Sequence, residues 1–208
     1  MFIRECNIDN PITSFNRNQK KMEDQLLLNT IELCKKGDRK AQTELYMRYS
    51  KNMYAVSLRI LKHSAEAEDA MQEAFIAAFR QLDSFRGEVS FGSWLKKIVI
   101  NRSIDQLRKR RILFDDLSKL SQQEAEEPAE LVSDISPAMI KNAIDELPDN
   151  YRVVLTLFLL EGYDHEEIAE ILKISNGSSR VIYHRAKEKL KDRLNTMSHE
   201  YHFSHIVN

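Results

Sequence analysis

Residues that break helices or cross-link the chain are scarce in this sequence of 208 residues, which contains five glycines, four prolines and two cysteines. Because glycine and proline mark most turns and breaks, their scarcity favours long helices over many short strands. The two cysteines, Cys6 and Cys34, have neither metal-binding nor redox spacing. This excludes a disulfide-rich secreted scaffold and indicates free thiols in a reducing compartment.

Long hydrophobic runs are also missing. The longest apolar stretch covers residues 153–160 and is interrupted by Thr156, whereas a membrane-spanning helix needs about 20 apolar residues. The N-terminus carries Arg4 and Glu5 and no apolar signal core. We therefore expect a soluble, cytoplasmic protein without a membrane span. A P-loop, a glycine-rich nucleotide motif and a nucleophile elbow are absent as well, so we expect no enzymatic activity, catalytic residue, metal or cofactor.

The net charge of −1 conceals a strong segregation of charge along the chain. Residues 102–111 contain five basic residues and one acidic residue, and residues 180–193 contain six basic and two acidic residues. Between them, residues 112–137 contain seven acidic residues and one basic residue. Two basic segments separated by an acidic one predict two anion-binding surfaces.

Hydrophobic spacing predicts an all-α fold of two small helical domains joined by a flexible acidic linker. The predicted divisions are a flexible tail (1–22), a first helical domain (23–111), the linker (112–136), a second helical domain (137–195) and a C-terminal tail (196–208). In the first domain, helices are expected near residues 24–36, around the stripe from Leu45 to Ile60, after a capping Ser64, and from about residue 91 to 110.

Residues 164–190 have the pattern of a helix-turn-helix. Its first helix is predicted over 165–172 with Ile168, Ala169 and Leu172 inward, Lys173 stands at a turn position that usually prefers glycine, and Ser175 caps the second helix. The candidate DNA contacts on the second helix are Ser178, Ser179, Arg180, His184, Arg185 and Lys187. The alternative is a helical hairpin with a solvated basic face.

Residues 84–94 form a second candidate site because Phe85, Phe91 and Trp94 lie in a segment that also contains glycine, serine and Arg86. Unpaired bases bind flat apolar surfaces, and the basic end of the following helix supplies charge for phosphates. The alternative is that these aromatic rings fill the junction between helices as part of the core.

These segments carry a resemblance to a known family. Residues 68–75 (EDAMQEAF), 85–88 (FRGE) and 93–95 (SWL) resemble region 2 of bacterial sigma factors. Residues 161–162 (EG), 166–169 (EEIA) and 184–187 (HRAK) resemble region 4. With only these two regions and a short linker, the chain resembles the extracytoplasmic-function (ECF) group over roughly residues 38–195.

The resemblance implies partners and residue roles. The helix over 68–79 would dock on the clamp helices of the largest subunit of core RNA polymerase through Asp69, Gln72, Glu73 and Phe79. The loop after Phe85 would capture a flipped base of the promoter −10 element. The implied −10 contacts are Phe85, Arg86, Ser93, Trp94, Asn101, Arg102, Asp105, Arg108, Arg110 and Arg111.

The second domain would read the −35 element of promoter DNA through the helix-turn-helix contacts and touch the flap of the second-largest subunit. Val181 and Ile182 differ from the residues common in the family and imply altered contacts at that end. An anti-sigma factor is a further candidate partner.

Three alternatives remain open at this point. The first alternative, a helix-turn-helix regulator with an N-terminal oligomerisation domain, explains residues 137–195 but does not explain the pattern over 66–111. The acidic linker either occupies a basic channel of the polymerase or is a solvated tether. The tail residues His199, His202 and His205 have regular spacing, but they lack a scaffold, so metal binding there is not expected.

Overall fold

The structure, a computed structural model, describes residues 11–110 and 135–206, with side chains described within 22–110 and 135–198. Over these residues it is helical and contains no strand. The helices are α1 (Pro11–Lys35), α2 (Arg39–Leu61), α3 (Ser64–Arg80), α4 (Phe91–Arg110), α5 (Pro137–Glu146), α6 (Asp149–Leu155), α7 (His165–Leu172) and α8 (Asn176–Ile206). A 3₁₀ turn (Leu82–Ser84) follows α3, and a π-helical turn (Thr156–Leu160) continues α6. The predicted all-α class is confirmed, while the predicted linker lies almost wholly outside the described residues.

Both predicted tails contain helix. Helix α1 begins at Pro11, inside the predicted tail 1–22, and α8 runs to Ile206, past the predicted domain end at 195. Proline's fixed φ suits the first turn of a helix, and residues 11–22 contain no glycine and several good helix formers. Residues 196–206 likewise contain neither glycine nor proline to end a helix. The prediction of irregular structure over residues 11–22 was wrong.

Local caps set the starts of α2 and α3. The Asp38 carboxylate accepts hydrogen bonds from the backbone N–H groups of Lys40 and Ala41 at the start of α2. At the start of α3 the cap is His63, whose Nδ1 accepts from the Glu66 N–H at 3.4 Å. The predicted cap, Ser64, is one residue too late, because its backbone is already helical whereas that of His63 is extended.

Helices α2, α3 and α4 pack against one another as a three-helix unit. Helix α3 presents short side chains to its neighbours: Ala67, Ala70, Ala74 and Ala78, each at most 1% exposed. Small residues at a helix contact allow the helix axes to approach closely. Between α2 and α4, the Ser103 hydroxyl donates to the Val99 carbonyl and therefore accepts its 2.9 Å hydrogen bond from Ser57.

Helices α5 to α8 form the second unit. Helix α7 opens with a capping box, in which the Asp164 carboxylate accepts from the N–H groups of Glu166 and Glu167 while the Glu167 carboxylate accepts from the Asp164 N–H. Helix α7 has the predicted bounds, and the residues predicted to face inward, Ile168, Ala169 and Leu172, are buried. Lys173 ends the helix at φ 53°, a left-handed conformation that favours glycine.

The two units contact each other. The Arg152 side chain of α6 is buried, and its Nη2 donates to the carbonyl of Ile60 in α2 at 2.8 Å. Lys62 forms an ion pair with Asp145 of α5 at 2.7 Å. Apolar side chains of the second unit, including Val153, also join the core of the first. The two helical units are therefore closed against each other in this structure.

Candidate polymerase-binding and nucleic-acid interfaces

The outward side of α3 carries the polar residues predicted to bind core polymerase. Asp69, Gln72 and Glu73 are all exposed. Ile76, 52% exposed, follows them at the spacing of one helix face. Ile76 was missed at the sequence level, although its position off the buried stripe was a signal. An apolar side chain with carboxylates beside it is the arrangement of a protein-binding patch with an apolar centre and a polar rim.

Phe79 lies at the edge of this α3 face. Its ring is half-buried, packs on the core and lies 6.0 Å from the Phe75 ring between centroids. Only the exposed part of the ring is therefore free for the predicted polymerase contact.

The aromatic segment after α3 belongs to the core. Phe85 is 8% exposed and Phe91 is 3% exposed, and their rings meet edge to face at 5.5 Å. Trp94 is half-buried against both, with ring centroids 5.5 and 5.6 Å away. The helix junction therefore encloses the rings of Phe85 and Phe91, as the core alternative expects; contact of Phe85 with DNA stays a prediction.

The loop over residues 86–90 is exposed and leads into α4. The Ser90 hydroxyl accepts from the Ser93 N–H at 3.1 Å and hydrogen bonds with the Ser93 hydroxyl at 2.8 Å, as a helix cap does. Val89, 55% exposed, was missed by the sequence prediction. The surface that this loop offers to a base is therefore made of Arg86, Val89 and the accessible part of Trp94.

Helix α4 continues this surface with polar side chains. Asn101, Arg102 and Asp105 are exposed. Arg108 is half-buried: its guanidinium lies 3.4 Å from the Asp105 carboxylate and donates to the Ile171 carbonyl of α7 at 3.4 Å. The end of this helix therefore faces the helix-turn-helix unit.

Arg110 has a structural role that the sequence did not indicate. Its guanidinium donates to the carbonyl of Leu61 at the end of α2 at 3.1 Å and forms an ion pair with Glu66 of α3. These bonds tie α4 to the α2–α3 junction, and the Arg110 side chain remains 34% exposed, so its contact with the strand stays a prediction. Arg111 lies outside the described residues.

The start of α8 has the predicted cap. The Ser178 N–H donates to the Ser175 hydroxyl at 3.0 Å, and the two hydroxyls hydrogen bond at 2.8 Å. Arg180, His184 and Lys187 are exposed at the spacing of one helix face, while Arg185 beside them is half-buried.

Contacts within α8 hold several of these side chains in place. The Arg180 Nε donates to the Asn176 amide oxygen at 2.8 Å. The His184 ring lies 3.4 Å from the Glu188 carboxylate. The Lys187 ammonium lies 5.7 Å from the centre of the Tyr183 ring. The exposed face of α8 is thus basic and partly preorganised by its own neighbours.

Ser179 and Ile182 of α8 are both buried. Ser179 is fully buried and hydrogen bonds with His165 Nδ1 at 3.0 Å, so its side chain joins α8 to α7; contact of Ser179 with DNA stays a prediction. Ile182 is 3% exposed and packs in the core, so it does not alter the DNA-facing surface. Burial, followed by the charge of Arg180, lowers the pKa of His165. The neutral imidazole at pH 7 can therefore hold Ser179 and fix α8 on α7.

The described part of the chain contains no group of three His, Cys, Asp or Glu side chains that could hold a metal ion. Within it, no helix has the length and apolar character needed to cross a membrane. The side chains of His199, His202 and His205 lie outside the described range. Cys34 is a free, buried thiol whose pKa is raised by burial to about 11.

Comparison with known families matches both helical units. Residues 45–112 match the model for sigma-70 region 2, and residues 138–190 match that for sigma-70 region 4. The two matches coincide with the α2–α4 unit and with the helix-turn-helix unit. Together they define the class as a sigma-70-type transcription initiation factor.

Curated relatives narrow the class. The chain is 33% identical to the ECF RNA polymerase sigma factor SigW of Bacillus subtilis, over 82% of this chain and 98% of that protein. It is 31% identical to the ECF RNA polymerase sigma-E factor of Escherichia coli strain K12, over 83% of this chain and 95% of that protein. The chain therefore belongs to the ECF family of RNA polymerase sigma factors, and its function is promoter-directed transcription initiation.

Solved structures give weaker likenesses. A sigma factor RpoE from Bartonella quintana, in complex with the anti-sigma factor NepR, is 24% identical with a TM-score of 0.49, covering 73% of this chain and 95% of that one. CnrH in complex with the cytosolic domain of CnrY is 22% identical with a TM-score of 0.49, covering 80% of this chain and 96% of that one. The family assignment rests on the sequence matches.

The burial of Phe85 beside the exposed Arg86 can be tested by substitution. Phe85→Ala is expected to lower the free energy of unfolding by about 3–5 kcal/mol, because it leaves a cavity in the core. Arg86→Ala, at an exposed loop position, is expected to change it by less than about 0.5 kcal/mol. Urea unfolding followed by circular dichroism measures both. Equal, small effects of the two substitutions would contradict the placement of Phe85 in the core.

Proposed function

We propose that this sigma factor uses three separate surfaces: the outward side of α3 for core RNA polymerase, the loop over 86–90 with α4 for the melted −10 strand, and the exposed face of α8 for the −35 element. The observation that carries the proposal is the arrangement of α2, α3 and α4. Because α3 and α4 pack on each other through buried faces, their exposed faces point in different directions. One rigid unit can then hold polymerase and DNA at the same time.

The proposed division of the chain follows these surfaces. Residues 23–111 form the polymerase and −10 domain, and residues 137–195 form the −35 domain. Helix α1 packs on α2 and the 3₁₀ turn, and its Ile31 is buried in the core, which supports assigning α1 to the first domain. The predicted linker then connects two units with separate tasks.

For polymerase binding, we propose that Ile76 is the apolar centre and that Asp69, Gln72 and Glu73 surround it. Exposed carboxylates favour a basic partner surface, and an apolar side chain at the centre contributes affinity when it is desolvated. The implied partner is the clamp of the largest subunit. Contact of the second domain with the flap of the second-largest subunit is part of the same proposal.

For strand capture, we propose that a flipped base packs against Val89 and the accessible part of Trp94, while Arg86 and Arg102 contact phosphates. Flipping a base costs a few kcal/mol, and stacking on an apolar surface contributes about 1–3 kcal/mol per base. Binding can therefore offset the cost without hydrolysis of a nucleotide. The proposal includes no catalytic activity of the protein itself.

For duplex recognition, we propose that Arg180, His184 and Arg185 face base edges in the major groove and that Lys187 contacts phosphate. Arginine recognises guanine through paired hydrogen bonds, whereas lysine near the groove rim adds charge without base discrimination. Action in the cytoplasm, where the polymerase is found, and control by an anti-sigma factor complete the proposal on the basis of family membership.

Substitutions on α3 test the polymerase surface. Ile76→Ala is expected to weaken core polymerase binding at least about fivefold, since a central interface residue costs more than about 1 kcal/mol. Asp69→Ala combined with Glu73→Ala is expected to weaken it as well, because it removes two charges that face a basic partner surface. Because these side chains are exposed, stability should change by less than about 0.5 kcal/mol per site. Titration of fluorescently labelled protein with core polymerase gives the affinities. Asp83→Ala, an exposed acid outside this face, is the matched control. Undiminished binding by the α3 variants would refute the assignment.

Substitutions on α8 test base reading. Arg180→Ala and Arg185→Ala should each cost about 1–3 kcal/mol of discrimination between a promoter duplex and the same duplex with an altered −35 element. Lys187→Ala should instead weaken binding to both duplexes alike, as loss of a phosphate contact does. Holoenzyme binding to the two duplexes at fixed salt provides the comparison. Equal loss on both duplexes for the arginine variants would show that they do not read bases.

A further inference from the structure

One acidic side chain of the second unit is enclosed by the first. Glu161 lies just before Gly162, and its carboxylate is 3% exposed. It accepts a hydrogen bond from Arg59 Nε of α2 at 3.1 Å, is also ion-paired with Nη2 of that residue, and lies 3.2 Å from Lys96 Nζ of α4. A carboxylate between an arginine and a lysine has the contacts that an anion would make in the same place.

The cationic half of this contact belongs to the proposed strand-binding unit. Lys96 lies nearly two turns after the Ser90 cap of α4. Besides the carboxylate, it contacts the Glu161 carbonyl at 3.2 Å and the face of Tyr163 at 5.8 Å. Arg59 and Lys96 keep 35% and 26% of their side-chain exposure. Contacts with the second unit therefore hold these two side chains in place, and neither is buried in the core of the first unit.

A cavity of about 380 Å³ opens beside this contact. Polar residues of both α2 and the start of α4 line it, among them Tyr49, Asn52, Ser90 and Ser93, together with Arg59, Lys96 and Glu161. Ser90 ends the loop proposed to capture a base, and Ser93 lies in the first turn of α4. The cation pair thus lies next to that loop, where the backbone of a captured strand would pass.

We propose that Arg59 and Lys96 form a phosphate subsite for the DNA strand, and that Glu161 occupies it in the closed arrangement as an intramolecular substitute for a phosphate. The proposal rests on the proposed function, because it assigns a further contact to the same strand. A bound phosphate and Glu161 exclude each other, so strand binding at this subsite requires the second unit to leave it. Closure then weakens strand binding by the free protein.

Removing the charge of Glu161 tests the exclusion. Glu161→Gln preserves the shape of the side chain and should strengthen binding of a single-stranded oligo(dT) of about 12 nucleotides to the full-length free protein by at least about fivefold. Glu166→Gln removes the same charge from an exposed position in α7 and serves as the matched control, with a change below about twofold. Fluorescence anisotropy of a labelled oligonucleotide measures both. Equal affinities of the two variants would overturn the proposal.

The salt dependence tests the subsite itself. In the Glu161→Gln background, Arg59→Ala with Lys96→Ala should reduce the slope of log affinity against log salt by about 1.4, since each contact to a single-stranded phosphate contributes about 0.7. An unchanged slope would overturn the subsite, even if Glu161→Gln tightens binding. Thermal unfolding reports whether each variant is folded. If Glu161→Gln unfolds, the salt slope of the Arg59→Ala, Lys96→Ala protein is compared with that of the wild-type protein. An unchanged slope in that comparison would likewise overturn the subsite.

The tests distinguish a failure of the phosphate subsite from a failure of the proposed function. Core polymerase binding by the wild-type protein tests the sigma-factor surfaces without involving Glu161. If core binding is present while the oligonucleotide results are negative, the subsite alone is refuted. If core binding is absent, the proposed function fails, whatever Glu161 does.

Discussion

Close packing of α2, α3 and α4 is the constraint on which the candidate sites depend. Four of the six buried residues of α3 are alanines, Ala67, Ala70, Ala74 and Ala78, so its neighbours can approach closely along this stripe and pack around Met71 and Phe75. A larger residue there would force the helices apart and rotate the outward faces relative to each other. The direction of the acidic α3 face, the position of the loop over 86–90 and the exposed side of α4 all follow from this one contact.

Charge then determines how the two units meet. On the first unit, Arg59, Lys96 and Lys97 face the second unit, where they form ion pairs with Glu161 and Glu170. Only Glu161 is enclosed; Glu170 is 73% exposed, and its contact with Lys97 is long at 3.7 Å, so it contributes little. In the proposed scheme, the cations that would bind a strand phosphate pair with Glu161 in the closed arrangement, in addition to the apolar contacts and the bonds of Arg152 and Lys62 that join the units.

Local signals in the sequence were sufficient for much of the fold. The bounds of α7, the Ser175 cap and the left-handed Lys173 depend on neighbouring residues, so spacing and capping rules found them. Where distant parts of the chain set the environment of a residue, its burial and contacts were not found from the sequence. Phe85 and Ser179 have side chains that suit DNA contact, yet the opposing helices bury them, and Arg110 is used to join helices. Glu161 could not be recognised at all, because its partner Arg59 lies 102 residues away in the chain.

Transcription from fragmented genomic DNA provides the decisive test of whether this protein directs core RNA polymerase to promoters. Core polymerase would be assayed with and without the full-length protein, and the 5′ ends of the RNA products would be sequenced. The account predicts start sites that appear only when the protein is present and that share −35 and −10 sequences at a fixed separation. A set of start sites identical to that of core polymerase alone would contradict it.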